Sequence, residues 1–223
     1  MKNKFRRTTM VGALASTALM VAAPAAMAAG PLTVGGATTP SVVAITASNV
    51  GSFTFATDYD VPATCTTATV GGEIYPGTAV VDNAKIGEIQ SLTFSGCTAT
   101  GLNYPVTITK TGSVDWDLIV DGTPASGATA DLEITNVSAQ MRSTGSAPYV
   151  CDLAAATAAG SSVPGSFDPT TQRLSIASAA GAFPLDLTAA GGVTCGGQIF
   201  TGDRAQMAGT FAVSTGGAGS INY

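Results

Sequence analysis

The sequence has no histidine. That excludes Ser-His-Asp triads, Cys-His nucleophiles and every metal site built on imidazole. Cations are also scarce: nine Lys and Arg in 223 residues, four of them within the first seven positions. With so little positive charge, neither nucleic acid nor an anionic membrane surface is expected as a partner. Aromatic residues make up only 6% of the chain, with a single Trp. The Tyr and Trp girdles of a membrane-spanning β-barrel would need more. No C-x-x-C pair occurs, and beyond the N-terminal segment no apolar run is long enough to cross a membrane as a helix.

The N-terminal segment has the three parts of a secretion signal. Lys2, Lys4, Arg6 and Arg7 form a positive start, Met10 to Ala23 an apolar run, and Ala26-Met27-Ala28 a small-x-small cleavage site. Cleavage is expected after Ala28. A retained anchor helix is the alternative, disfavoured by the short run and its small, polar far flank. Arg6-Arg7 hints at twin-arginine export, although its neighbours fit that motif poorly. Cleavage would remove four of the nine cations, leaving five against fourteen acids, a net charge of −9 on 195 residues. A chain this size makes one β domain over 41–223, after a small-residue lead-in at 29–40, or two β subdomains at about 41–143 and 144–223.

Cys65, Cys97, Cys151 and Cys195 follow the signal. An even number in an exported chain points to two disulfides, with three connectivities open. The short separations favour Cys65–Cys97 and Cys151–Cys195. A zinc site is the rival reading, weakened by wide spacing and the missing histidines.

Period-two alternation dominates what remains. Tyr104, Val106 and Ile108 alternate with Thr107 and Thr109, and Val114, Trp116, Leu118 and Val120 with Asp115 and Asp117. The two runs read as a hairpin turned at Thr111-Gly112-Ser113. Leu92 and Phe94 share one face while Ile89 and Cys97 have the opposite parity, so that strand is either bulged near Gly96 or apolar on both faces. Gly71-Gly72 and Pro76-Gly77 suggest short strands with turns, and Leu132 and Ile134, Leu174 and Ile176, and Phe211 and Val213 mark further strands. The run Leu153 to Ala159 is rich in Ala but short and without an apolar stripe, and reads as loop or weak strand. Short strands between Gly and Pro turns predict an all-β antiparallel sandwich or barrel stabilised by two disulfides.

Ile86 to Thr98 reads I-G-x-I-x-S-L-T-F-S-G-C-T, and Gly209 to Ser214 reads G-T-F-x-V-S, with Cys151 and Cys195 between them. This pattern resembles a group of exported actinobacterial β-rich proteins of unknown function with four cysteines. The resemblance implies export, a β fold and local disulfides. It implies no activity.

With His absent and the cysteines paired, chemistry would fall to carboxylates. Asp115 and Asp117 flank Trp116 at alternate positions, about 6–7 Å apart along a strand, within loose range of a glycosidase pair. The indole, however, would face the core, and two solvated acids are the simpler reading. Asp58 and Asp60 on either side of Tyr59 offer oxygen ligands for Ca²⁺ without a recognised calcium motif. Tyr59, Tyr75, Tyr104 and Tyr149 either line a ligand groove or pack against the sheet. Asp58, Tyr59, Asp60, Asp115 and Asp117 are thus the candidate ligand surface, and no catalytic, cofactor or metal residue is expected. The functional expectation is a non-catalytic protein, secreted or in the cell envelope, with a binding or structural role. Its partner would be an envelope component or a small apolar ligand, with self-association open. A β-barrel pore subunit and a carboxylate-dependent hydrolase are the alternatives.

Overall fold

The computed structural model describes residues 30–39, 41–59, 62–99, 105–144, 151–178 and 181–223. The expected signal segment at 1–28 lies outside the described residues, as do Asp60, Tyr104 and Tyr149.

After a short strand β1 (Thr33–Val34), β2 (Val43–Asn49) and β3 (Phe53–Thr57) run end to end across a bend at Val50-Gly51-Ser52. The long strand β4 (Pro62–Ile74) returns antiparallel to both, its first half on β3 and its second on β2. β5 (Lys85–Ala99) pairs along β4. β6 (Pro105–Lys110) and β7 (Trp116–Asp121) then lie end to end along the other side of β5. β8 (Ala130–Thr135) and β9 (Ser138–Ser143) come back along β7 and β6. β10 (Asp152–Thr157) and β11 (Val163–Asp168) follow along β9 and β8. Next, β12 (Arg173–Ala177) and β13 (Leu185–Ala189) pair with β11 and β10. A 3₁₀ turn at Ala190–Gly192 leads into a small hairpin of β14 (Val193–Thr194) and β15 (Ile199–Phe200). β16 (Arg204–Ser214) pairs with β13 and β12 on one side and with β3 and β2 on the other. Finally β17 (Ile221–Asn222) pairs with β1.

These pairings make an all-β, antiparallel, up-and-down barrel of eight staves closed between the last and the first. β4, β5 and β16 are unbroken staves; the other five are each two strands in line, interrupted at mid-height. At ~3.3 Å per residue the thirteen residues of β4 span roughly 40 Å. The interruptions give the barrel a waist and two lobes. One lobe holds β3, β6, β9, β10 and β13, and both disulfides, Cys65–Cys97 and Cys151–Cys195. The other holds β2, β7, β8, β11 and β12. It is capped by the β1–β17 pair, which buries Leu32, Val34, Ile221 and Tyr223. Strands from both sides of residue 143 contribute to each lobe. Leu32 and Val34 fall within the stretch read from sequence as a lead-in.

Three local readings of the sequence are corrected. β6 and β7 do not form a hairpin; they point the same way along β5, and Gly112 (φ 80°) serves a bend between two in-line strands. Alternation reports which face a residue occupies, not which strand it pairs with. Gly71-Gly72 sits inside β4 rather than in a turn, because a Cβ at Gly72 would lie 2.2 Å from the Glu88 carbonyl oxygen. The pairing shifts there, and Gln90 on β5 is the extra residue. The run Leu153 to Ala159, read as loop or weak strand, is strand as far as Thr157, where it forms most of β10.

The parity conflict around Leu92 is resolved by bulges on both sides, at Gln90 and at Gly96 (φ 60°). They let Ile89, Leu92, Phe94 and Cys97 all face inward. Opposite Gly96, β4 skips Thr66, and the Asn49 side chain satisfies the freed backbone: its Nδ2 donates to the Thr66 carbonyl (2.9 Å) and its Oδ1 accepts from Ala68 N–H (2.8 Å). At the waist, Phe53 packs against Phe55, Phe94 and Phe211 with ring centroids 4.7–5.3 Å apart. Each such fully buried ring contributes roughly 1.5–3 kcal/mol.

Candidate functional site

The acids singled out by sequence do not converge. Asp115 precedes β7, and its Oδ1 meets Lys110 Nζ at 3.1 Å. Asp117, on the outer face of β7, meets Lys85 Nζ at 2.5 Å and accepts from Asn136 Nδ2 at 2.9 Å. Trp116 between them is 1% exposed, and its indole nitrogen has no hydrogen-bond partner among the described residues. Asp58 lies at the far end of the disulfide lobe. Its carboxylate accepts from Arg204 N–H (3.2 Å) and so closes the junction of β3 with β16. Tyr59 beside it is exposed. Among the described residues, no three acids or cysteines are placed to hold a metal ion.

Among the described residues a polar cluster that includes Asp117 lies on the outside of the capped lobe. Lys85 bridges Asp117 and Glu88 (2.9 Å) and sits 5.8 Å from the centre of the Tyr75 ring. Gln90 donates to Glu88 (3.2 Å). Hydrogen bonds from Tyr75 and Lys85 hold the Glu88 carboxyl down at about 2. Burial, then the bond to Glu88, pushes the Tyr75 hydroxyl up to about 12. Bonds to Asp117 and Glu88 raise Lys85 above its ordinary value. Each group is thereby fixed in its resting form at neutral pH: tyrosine neutral, lysine and glutamate charged. General acid–base work needs the opposite, a proton affinity brought toward neutrality. The sequence hid this cluster because Lys85 and Asp117 belong to strands that meet only through the β5–β7 pairing.

The cluster contributes to the pH dependence of stability. Glu88 binds its proton more weakly folded (about 2) than unfolded (4.5), so its contribution is complete above about pH 4.5 and is lost as pH falls toward 2. Tyr75 has the reverse sign: its contribution is complete below pH 10 and is lost as pH rises through about 12. Tyr223 adds to the alkaline limb, raised to about 12 chiefly by burial, with its hydroxyl donating to the Ala128 carbonyl at 2.7 Å. Urea midpoints measured against pH should therefore show a broad plateau. Glu88→Gln should flatten the acid limb and Tyr75→Phe the alkaline one; an acid limb unchanged in Glu88→Gln would refute the assignment.

The interiors of the two lobes differ. The capped lobe is filled by large side chains, including Ile45, Ile74, Leu118, Leu132 and Leu174, around a space of about 30 Å³. The disulfide lobe surrounds about 50 Å³ and is lined by Ala63, Ala99, Ala139, Ala155 and Ala205, with Met141 and Met207, alongside larger side chains such as Phe55 and Leu185. An unfilled volume of that size costs about 1 kcal/mol. Its far wall is Ile199, which comes from the β14–β15 hairpin and not from a stave. That hairpin is held by Cys195 to Cys151 and by Thr201, whose Oγ1 accepts from Ala189 N–H at 3.0 Å. The inward alanines were missed in the sequence because Ala on both faces of β10 leaves no apolar contrast; Leu153 and Ala155 at alternate positions were the available signal.

The chain matches no protein-family model, and no curated protein or solved structure matches it either.

Proposed function

We propose that this is an exported, non-catalytic β protein that acts outside the cytoplasm, secreted or in the cell envelope, by binding or as a structural component. The observation that carries this reading is the polar cluster around Lys85. That cluster holds Glu88, Lys85 and Tyr75 in their resting states, each moved away from neutrality rather than toward it. Asp115 and Asp117 are each neutralised by a different lysine, which argues against a carboxylate-dependent hydrolase. The outward faces of the long staves are hydroxylated, with Thr67, Thr69, Thr93 and Thr109 exposed. A pore subunit would instead present an apolar band to lipid. Two disulfides fit an oxidising compartment, and the resemblance to exported actinobacterial β-rich proteins agrees with it.

Purified mature protein screened against glycoside, ester and peptide substrates is expected to show no turnover. Turnover that disappears in Asp117→Asn or Asp115→Asn, with the circular dichroism spectrum unchanged, would overturn the reading.

A further inference from the structure

We infer that the interior of the disulfide lobe is a binding site for a small uncharged hydrocarbon group. This rests on the non-catalytic reading and assigns it a ligand class. The two lobes are built from the same eight staves, so their interiors have comparable walls to fill. The capped lobe lines its space with Ile, Leu, Phe and Val and no alanine; the disulfide lobe, beside Phe55, Ile108 and three leucines, places alanine at inward positions on β4, β5, β9, β10 and β16. Packed interiors normally leave few voids larger than a water molecule. Here the space is kept where the wall is also cross-linked, so the lobe retains its shape without being filled.

The lining fixes the ligand's chemistry. Among the described lining residues only Thr57 carries a polar side-chain atom, and no charged group faces the space. A charged or strongly polar ligand would be buried without partners, a large penalty. Met141 and Met207 supply unbranched, polarisable walls that adapt to an apolar guest. Ile199 closes the space from a hairpin outside the staves, which Cys195 ties to Cys151 and Thr201 and Gly202 tie to β13. Phe200, beside it on the outer side, is exposed. The hydrocarbon could be a free short-chain molecule or the end of a longer acyl chain; the chemistry recognised is the same.

Methyl labelling of methionine and leucine in the oxidised mature protein gives a direct test, with xenon, a short-chain alkane and a long-chain alcohol as probes. The alkane is expected to shift the Met141 and Met207 methyl resonances saturably while those of Leu118 and Leu174 in the capped lobe stay fixed. Ala139→Leu, which fills the space, should weaken that binding at least about tenfold. Should Ala139→Leu fold poorly, Ala99→Val serves the same purpose. Saturation by the long-chain alcohol as well would identify a chain end as the source, and saturation by the alkane alone a free molecule. Absence of a saturable shift, a shift undiminished in the filled variants, or entry of xenon alone would each overturn the proposal. Such a failure leaves the absence of turnover standing, and turnover in the substrate screen would be seen without reference to this titration.

Discussion

Reduction of both disulfides is expected to remove most of the stability of the protein. The bridges close segments of 32 and 44 residues that do not overlap in sequence. In the chain-entropy model each contributes roughly 3.5–4 kcal/mol, and with independent loops the two add. Ordinary domains have only about 5–15 kcal/mol in total. Both bridges also lie in the lobe whose interior is lined by alanines. Cys65 stands directly opposite Cys97, next to the bulge at Gly96, where a one-residue slip would turn every inward side chain outward. Urea unfolding with and without a dithiol should therefore show a large fall in midpoint. Paired Cys→Ala variants at 65 and 97, and at 151 and 195, should each give about half of it. A reduced protein with the oxidised midpoint would sink the argument.

The second large effect is expected at the waist. Phe53 is fully buried among Phe55, Phe94 and Phe211, and its ring occupies the space where a side chain on Gly209 would be. A Cβ at Gly209 would lie 2.1 Å from the ring's Cδ2. Phe53→Ala should cost about 3–5 kcal/mol by leaving a cavity common to both lobes. Gly209→Ala should cost about 1–3 kcal/mol by forcing the ring from its corner. The double variant should cost less than the two together, because alanine at 53 vacates the space that the new methyl needs. A denaturation cycle checks this, and strict additivity would mean that the ring and the glycine do not compete.

Much of this architecture could be read from alternation. Val106 and Ile108, Trp116 and Leu118, and Leu132 and Ile134 point inward as their spacing required, and the cysteines pair with their nearer neighbours. Alternation could not give connectivity, so β6 and β7 read as a hairpin although both serve one side of β5. Nor could it reveal the length of β5, since Gln90 and Gly96 each break the period. The candidate acids misled for a related reason. Asp115 and Asp117 are close in sequence, but each is governed by a lysine from a neighbouring position in space, Lys110 or Lys85. The alanine-lined space could be found only by closing the barrel, because a void belongs to no single strand.

The seam between β16 and the β2–β3 stave has a consequence for how the chain acquires its shape. It joins residues 46–57 to residues 205–214, nearly the whole length of the described chain. Seven staves can be laid down in order by neighbour-to-neighbour zippering, yet the ring stays open until β16 arrives. Until then both flanking rows of backbone N–H and C=O groups are exposed, and the waist lacks Phe211. Contacts so distant in sequence form slowly. During synthesis the seam therefore cannot form until residues 205–214 have been made. The long-range seam thus delays closure of the ring until its late strand is available.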